Sequence, residues 1–329
     1  MKITIKNVGQ GDSIILEWKR NGEEHTGIID CNRFGGINPV LEYLKQKDLQ
    51  YLSFLILSHP HEDHFSGMLE LLNYLEAENI KVNKFIHTLR VEPRHLNWAI
   101  VGSDGKQRLV KLIKKVGELY DQKKIIQKLY AESEWTNQLN DEWFIQSLGP
   151  SEDELNSYVK TVQVNKGVNE LKCSKAANLL SSIFKIYSSE GKFIILTADA
   201  ELDSFDRIIE RNDSAFNGEL LICQIPHHGS IKNHKKLFWS AFTKKDNAPA
   251  VISAGENSKY KHLDKKVIED FVDAGFKVFS TNNVNGMRDF IDNLNNTIIS
   301  SILDDDSEIV EEYNIEGDQI FEITNGVIN

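Results

Sequence analysis

The chain has 329 residues, of which 40% are hydrophobic, and its formal net charge is −11. This length and composition favour a globular protein with a sizeable core, in one or two domains. No apolar run approaches the roughly 20 residues that a membrane helix needs, and the first residues lack the apolar segment of a signal peptide. The three cysteines have no paired spacing, which is typical of reduced thiols in a cytoplasmic protein.

The negative charge is concentrated near the end of the chain. Residues 301–329, which we interpret as an acidic tail, contain nine Asp or Glu residues and no Lys or Arg. Residues 105–130, in contrast, contain eight Lys or Arg residues and two acids. The acidic total therefore conceals a basic segment, and it does not exclude an anionic substrate.

Hydrophobic patterning predicts a mixed α/β protein. KITIKNV alternates like a strand, and Asn21-Gly22 favours a hairpin turn between two β-rich runs. Arg108 to Tyr130 has an apolar stripe with helical spacing opposite its lysines. Further strands are predicted at YLSFLILS, WFIQSLGP, SSIFKIYS, KFIILTAD, ELLICQIP and PAVISAG. We interpret residues 1–329 as one domain with a helical insertion at about 79–142.

The stretch LSHPHEDHFSGM places three of the ten histidines and two acids within six residues. An apolar strand precedes it and a helical pattern follows it, so the cluster lies in a strand-to-helix loop. In an extended segment His59 and His61 point the same way and could bind one cation, while Asp63 and His64 could bind a second. Imidazole and carboxylate are ligands that zinc prefers. A polar loop with surface histidines is the alternative, but it does not account for this order of residues.

Two later strands end in residues of the same chemical kind. KFIILTADAE ends in Asp199, with Glu201 just beyond it, and ELLICQIPHHGS ends in His227 and His228. Acids or histidines at a strand end mean little alone. Beside the first cluster, they have the chemistry and the position that a two-cation site requires.

Six ordered blocks of the sequence resemble a known family. The blocks are NVGQGDSIIL, IIDCN, LSHPHEDHFSGM, ILTADAE, IPHHGS and VISAGENSKYKHLDKKVIEDFVDAGFKVFST. The pattern H-x-H-x-D-H is the signature of the metallo-β-lactamase superfamily, and the six blocks together are similar to the hydrolase domain of ComEC-type competence DNA-uptake proteins. The resemblance runs from residue 3 to about 282 and implies an α/β fold, an αββα sandwich with a metal site along one edge of its sheets. The membrane segments of the competence proteins have no counterpart here, so transport is not implied.

The resemblance also implies roles for individual residues. The implied metal ligands are His59, His61, Asp63, His64, Asp199 and His228, with Asp199 as the bridging carboxylate. His228 is favoured over its neighbour because it directly precedes a glycine, as the superfamily's ligand does. Asp30 would brace the metal loop. His227 would face the substrate, His262 would lie near the scissile group, and Asp63 would belong to the catalytic set.

One departure from the superfamily concerns the segment before Asp199. Many members have a further histidine ligand there, whereas residues 96–226 contain none. ComEC-type members carry Asn and Ser instead, which matches Asn178 and Ser181. Because no ligand of the implied set is removed, we expect activity to survive.

The basic residues indicate the substrate class. Two bound cations lower the pKa of a shared water from 15.7 to about 7, which serves phosphodiesters, β-lactams and thioesters alike. Lysines expected near the site are Lys111, Lys114, Lys115, Lys232 and Lys261. Each alone is ordinary for a surface, but together they would concentrate an anion.

We therefore predict a metal-dependent phosphodiesterase, most simply a nuclease that acts on nucleic acid with two divalent ions. Zinc is the expected metal and manganese the alternative. The other hypotheses are a hydrolase of a small molecule (a nucleotide signal, a phosphoryl ester or a lactone) and a binding or scaffold protein without turnover. A cytoplasmic location without a membrane partner is expected, a protein partner is left open, and a role in defence against foreign nucleic acid rests on fold-level analogy.

Overall fold

Two β-sheets lie face to face in the computed structural model, which describes residues 1–89, 100, 103–211, 213–256, 262–284, 287–302 and 316–329. The predicted substrate-binding residue Lys261 lies outside the described residues. No helix among them is long and apolar enough to cross a membrane.

The first sheet has nine strands and consists mostly of the N-terminal half of the chain. Its strands are β1 (Lys2–Ile5), β2 (Ile14–Arg20), β3 (Glu23–Ile29), β4 (Tyr51–Leu52), β5 (Phe54–Leu57), β6 (Lys81–His87), β7 (Ile125–Tyr130), β16 (Gln319–Thr324) and β17 (Val327–Ile328). They lie in the order β17-β16-β1-β2-β3-β5-β6-β4, and β7 also pairs with β6. The hairpin between β2 and β3 turns at Asn21-Gly22, where both residues have positive φ.

The second sheet has eight strands, from residues 136–280 of the chain. They are β8 (Thr136–Gln138), β9 (Trp143–Gly149), β10 (Ile183–Ser188), β11 (Lys192–Leu196), β12 (Glu219–Gln224), β13 (Thr243–Lys244), β14 (Ala248–Ile252) and β15 (Phe276–Ser280). The order is β15-β14-β12-β11-β10-β9-β8, with β13 paired to β12. The neighbouring strands β11, β12, β14 and β15 run parallel, so their carboxyl ends share one edge of the sheet.

Helices cover the outer face of each sheet. They are α1 (Pro39–Leu44), α2 (Glu62–Phe65), α3 (Met68–Ala77), α4 (Ser103–Asp121), α5 (Glu152–Asn165), α6 (Glu170–Ala176), α7 (Leu202–Arg211), α8 (Lys236–Ser240), α9 (Lys265–Asp273) and α10 (Met287–Ile302). Side chains of α1 and α3 to α6 share a buried cluster with the first sheet, and those of α7 to α10 share another with the second.

Alternation along the strands builds three core layers. In β5, Leu55 and Leu57 join the helix-covered cluster, while Phe54 and Ile56 enter a third cluster between the sheets. In β14 only Val251 joins this third cluster, and its two neighbours face the helices. Successive strand residues point to opposite faces, so both faces of each sheet are buried. The predicted αββα sandwich is confirmed.

The segment 79–142 differs from the predicted helical insertion. It contains one long helix, α4, but β6 and β7 pair in parallel within the first sheet, and β8 pairs with β9 in the second. The sequence does not predict β7 as a strand, because only its first residue, Ile125, is fully buried and its other positions carry polar or half-exposed side chains. The predicted acidic tail at 301–329 likewise contains two strands: β16 pairs with β1, and β17 pairs with β16.

The loop between β1 and β2 is pressed against the edge where the parallel strands end. Gly11 has φ +127°, and a Cβ there would lie 2.2 Å from the backbone oxygen of Asp63. A Cβ on Gly255, which follows β14, would lie 1.9 Å from the backbone nitrogen of Gln10. Both positions therefore require glycine, and this close packing joins the two sheets around the predicted site.

Candidate metal centre

The ends of β5, β11 and β12 bring the predicted ligands together. Two residues after β5, His59 begins the loop, and α2 places Asp63 and His64 in its single turn. Asp199 follows β11 by three residues. His228 follows β12 in a turn where its φ of +54° departs from helical geometry. Each side chain reaches the site because parallel strands end at the same edge.

Three of these residues form what we call the first half of the site, namely His59, His61 and Asp199. One ligand atom from each lies within 4.8 Å of the others. His59 Nε2 is 3.6 Å from Asp199 Oδ2 and 3.2 Å from His61 Nδ1. His59 is fully buried, whereas His61 is partly exposed to the cleft.

The second half consists of Asp63, His64, Asp199 and His228, whose ligand atoms also lie within 4.8 Å of one another. His64 Nε2 is 3.6 Å from Asp199 Oδ1. His228 Nε2 is 3.4 Å from the same oxygen and 3.5 Å from Asp63 Oδ2. Asp199 thus turns one oxygen toward each half, which is the geometry of a bridging carboxylate.

Hydrogen bonds fix which ring nitrogen of three histidines faces the site. His64 Nδ1 is 2.7 Å from Asp30 Oδ2, His228 Nδ1 is 2.8 Å from the Ser253 carbonyl oxygen, and His61 Nε2 is 2.9 Å from the Ser174 carbonyl oxygen. An oxygen acceptor holds a proton on the nitrogen it contacts, so the other nitrogen of each ring is the one that can offer a lone pair to a cation. This arrangement is the one that metal-binding histidines adopt.

Asp30 also braces the loop that carries the first ligands. Its Oδ1 accepts from the backbone N–H of Ser58 at 2.8 Å, and its Oδ2 accepts from the Ser58 hydroxyl. Asp30 itself has φ +60° at the end of β3. The resemblance implied this bracing role, and the structure places the carboxylate between the loop backbone and His64.

Asp12 was not selected from the sequence, although it lies behind the second half. Asp12 is buried, with Oδ2 3.8 Å from His64 Nδ1 and Oδ1 4.0 Å from His228 Nδ1. Gln224 Nε2 donates to Asp12 at 2.7 Å, and Gln224 Oε1 accepts from the backbone N–H of Ala198. The signal available in the sequence was Asp12 within the first matching block, NVGQGDSIIL, but Gln224 and His228 are more than 200 residues away from it.

The buried carboxylates attract positive charge to the second half. Burial opposes protonation of His64, but the charges of Asp30 and Asp199 outweigh it and raise its pKa well above the usual value. Burial also opposes protonation of His228, and the charge of Asp199 raises its pKa to about 9. At His59, burial and the charge of His64 prevail and lower the pKa to about 3. A metal ion bound in the second half would displace the protons of two imidazoles.

Unpaired buried atoms test whether a cation fits this space. His64 Nε2, His228 Nε2 and Asp199 Oδ1 are buried and make no hydrogen bond within the part of the chain that the structure describes. Buried polar atoms are nearly always paired, because an unpaired one keeps its full desolvation cost. All three are imidazole or carboxylate atoms, and they face one another. The donor set therefore suits a borderline divalent metal such as zinc.

The other predicted residues line the cleft beside the first half. His227 Nε2 is 3.5 Å from Asp199 Oδ2, and the His227 ring centroid is 5.3 Å from that of His262. Asn178 Nδ2 lies 3.5 Å from His227 Nδ1 and donates to Glu201 at 2.9 Å. Burial, with the charges of nearby histidines, lowers the pKa of His262 to about 4.

Ser181 lies deeper than the other predicted residues of this segment. It is buried, and its backbone N–H donates to the Asn178 carbonyl at 2.9 Å. Its hydroxyl oxygen has no hydrogen bond within the described residues. Ser181 therefore supports the turn that presents Asn178, and it does not line the cleft.

The cleft around the site has a volume of 1230 Å³. Of the predicted lysines, Lys232 lines it, whereas Lys111, Lys114 and Lys115 of α4 do not. Lys115 pairs with Glu76 at 2.5 Å, and Lys114 is 3.8 Å from Glu118. The structure thus brings together the predicted ligands, but it places the predicted substrate lysines of α4 elsewhere.

No protein-family model matches the chain, and no curated protein sequence matches it. Solved structures similar to it include the metallo-β-lactamase fold protein YhfI from Bacillus subtilis, with 11% identity, a TM-score of 0.43, and 85% of this chain and 96% of that chain covered. Isothiocyanate hydrolase from Delia radicum gut bacteria has 10% identity and a TM-score of 0.42, with 84% and 96% covered. A diphosphatase from the PhnP family has 9% identity and a TM-score of 0.36, with 85% of each chain covered. The two sheets and outer helices of the chain itself define its fold.

Proposed function

We propose that the protein is a hydrolase that uses two divalent cations, one in each half of the site, to cleave a phosphodiester in nucleic acid. The observation that carries the proposal is the convergence of four imidazoles and two carboxylates on one carboxylate-bridged space. Buried nitrogen and oxygen atoms without other partners face this space. A scaffold protein would have no need to keep them unpaired.

When bound, the cations would act as Lewis acids and lower the pKa of water. The chain's own residues prepare the site for them. Asp30 and two backbone carbonyls hold the imidazoles in the required tautomer. Burial of His59, His64 and Asp199 keeps bulk water from competing for these atoms. The rings of His61, His64 and His228 need not reorganise for binding, because these hydrogen bonds already fix their orientation.

His227 and His262 are proposed to act on the substrate itself. Their rings are neighbours, and both line the cleft beside Asp199. An imidazole there can donate a hydrogen bond to a phosphoryl oxygen or transfer a proton at the leaving oxygen. Asn178 contacts the far nitrogen of His227 and would hold that ring in place.

Three observations support nucleic acid as the substrate class. The six sequence blocks resemble the hydrolase domain of ComEC-type proteins. The cleft volume of 1230 Å³ exceeds the range of about 300–1,000 Å³ that is usual for small-molecule pockets. Lys232, a cation without a carboxylate partner within the described residues, lines the cleft. Hydrolysis of a nucleotide signal or another small phosphoryl ester is the second candidate, which the same chemistry would serve.

Cleavage assays on matched substrates test this function. We expect metal-dependent cleavage of single-stranded DNA, duplex DNA or RNA that exceeds the turnover of bis(p-nitrophenyl) phosphate, with zinc and manganese each tested after removal of bound metal. Asp199→Ala is the inactive control. Turnover of the small ester alone would favour the second candidate, and metal binding without turnover of any substrate would favour a scaffold.

The three buried free cysteines support the cytoplasm as the place of action.

A further inference from the structure

One wall of the cleft is formed by α6, and this helix touches the metal ligands directly. The carbonyl oxygen of Ser174 accepts from His61 Nε2 at 2.9 Å. Lys172 and Lys175 stand on either side of Ser174 in the sequence, and both are exposed and line the cleft. The contact of Ser174 with His61 therefore holds two lysines beside the first half of the site.

Two further cations line the same cleft from other elements. Arg33 follows β3, and Lys232 lies in the short 3₁₀ turn Ile231–Asn233 after His228. Both side chains are exposed, and Arg33 Nε lies 3.6 Å from Glu70 Oε2, so Lys232 is the cation of the two that has no carboxylate partner among the described residues. The cleft thus receives positive charge from three parts of the fold, although these parts are far apart in the sequence.

The acids of the cleft are largely engaged elsewhere. Asp63 and Asp199 face the ligand nitrogens. Glu62 pairs with Arg108 at 2.5 Å, and Glu201 accepts from Asn178. In contrast, Lys172, Lys175 and Lys232 have no carboxylate within 4.0 Å in the part of the chain that the structure describes. These lysines are therefore available to an anionic ligand.

The lysines of α4 are less well placed than those of α6 to bind an anion in the cleft. Lys114 and Lys115 approach carboxylates of the protein itself, Glu118 and Glu76. No lysine of α4 is among the described residues that line the cleft. The basic stripe on α4 is more conspicuous in the sequence, but the lysines of α6 are the ones beside the candidate metal ligands.

We propose that Lys172 and Lys175 bind backbone phosphates of a polynucleotide whose scissile phosphate lies at the metal centre, and that Arg33 and Lys232 bind further phosphates of the same strand. The inference rests on the proposed function and names the residues that select its substrate. A ligand with one phosphate cannot engage cations on three separate elements, whereas a chain of phosphates can. Contacts of this kind bind without regard to base sequence and weaken with salt.

Salt-dependent binding tests the assignment. The probe is a fluorescent single-stranded phosphorothioate oligonucleotide, which resists cleavage, bound to metal-loaded protein over a series of salt concentrations. For K172Q/K175Q we expect weaker binding and a log–log salt slope that is smaller by about 0.7 for each phosphate that the lysines no longer neutralise. K172R/K175R keeps the charge and should restore the slope. K111Q/K114Q removes the same charge from α4 and should leave the slope unchanged.

Turnover of bis(p-nitrophenyl) phosphate separates this inference from the proposed chemistry. We expect the metal content of K172Q/K175Q to equal that of the unaltered protein, and its cleavage of an oligonucleotide to fall by a larger factor than its turnover of bis(p-nitrophenyl) phosphate. An unaltered salt slope in K172Q/K175Q, or an equal decrease in K111Q/K114Q, would overturn the inference. Binding that depends on Lys172 and Lys175 in a protein that cleaves no substrate would refute the hydrolase and leave only the contacts of the two lysines with backbone phosphates.

Discussion

The two halves of the candidate metal centre share Asp199 but are built differently. In the second half, the far nitrogens of both histidines contact an acceptor inside the fold, Asp30 for His64 and the Ser253 carbonyl for His228. In the first half, His61 is partly exposed, and its acceptor is the Ser174 carbonyl of a cleft-wall helix. The second half is thus a buried part of the sandwich, whereas the first half is completed by the cleft wall that we propose to contact substrate.

The two halves should therefore differ in their affinity for a cation. More carboxylate charge surrounds the second half, and its histidine pKa values are raised. We therefore expect the second half to bind a cation more tightly, and the first half to exchange its cation more readily. The following changes test that comparison, beginning with the one that removes the shared residue.

Asp199→Ala should have the largest effect, because one oxygen of Asp199 faces each half. We expect both equivalents of metal to be lost and the rate of cleavage to fall to background. Elemental analysis of protein purified without chelator, with a parallel cleavage assay, measures both. Asp203→Ala, which changes another acid of the cleft, is the matched control and should keep both metals. Full metal content in Asp199→Ala would show that Asp199 is not the carboxylate that bridges the two halves.

His228→Ala and His227→Ala should separate the halves. His228 Nε2 faces the second half, so its removal should cost one equivalent of metal. His227 is held at the cleft by Asn178, and its removal should lower the rate while both metals stay bound. Metal content and rate are measured on the same preparations. The opposite pattern would exchange the roles of the two histidines.

His262→Ala should leave both metals and the melting temperature unchanged. It should lower the rate by roughly 10²- to 10⁴-fold, the usual contribution of a residue that donates or accepts a proton in the transition state. The physical reason is its place beside His227 in the cleft. Rate constants at saturating metal provide the measurement. Near-normal turnover with full metal would show that His262 does not contact the reacting group.

Asp30→Asn should produce the smallest of these effects. The change removes the charge that His64 contacts, and it should weaken metal binding in the second half by about 10- to 100-fold, or about 1.4 to 2.7 kcal/mol. Asparagine tolerates the positive φ at this position, so the backbone should be kept. Competition with a fluorescent zinc chelator measures the affinity.

Ser174→Ala changes the residue that supports His61 in the first half, as Asp30→Asn changes the residue that supports His64 in the second. Because His61 contacts the backbone carbonyl of Ser174 and not its hydroxyl, this substitution should leave the affinity unchanged. Equal affinities in Asp30→Asn and the unaltered protein would mean that the two halves do not differ in the way proposed here.

Much of this arrangement could be predicted because it is encoded locally. His59, Asp63 and His64 lie within six residues, and the strand before them and the helix after them have clear hydrophobic periods. The same holds for the helical stripe of α4, where Leu109, Leu112 and Val116 are buried. Local signals of this kind depend on side-chain spacing alone, so they can be recognised without knowing the fold.

Other features could not be predicted from spacing. β7 follows α4, and among the described residues it pairs only with β6. Its exposed, mostly polar residues continue the helical spacing, so the sequence shows no strand there. The lysines of α4 formed an obvious basic stripe, whereas Lys172 and Lys175 gave no signal in a short helix. The role proposed for them depends on a single contact, between His61 Nε2 and the Ser174 carbonyl across 113 residues of chain.

The sequence by itself determined the mixed α/β class and the ligand-rich strand ends, because hydrophobic periods and residue types are properties of consecutive residues, and the αββα sandwich was implied by the resemblance of the six blocks. Only the tertiary structure decided how the ligands divide into two halves and which groups support them. Asp12 reaches the site through Gln224, 212 residues away, and Gly11 and Gly255 are required by backbone contacts across the two sheets. Such contacts form only when distant strand ends meet at one edge, so no local pattern of residues records them.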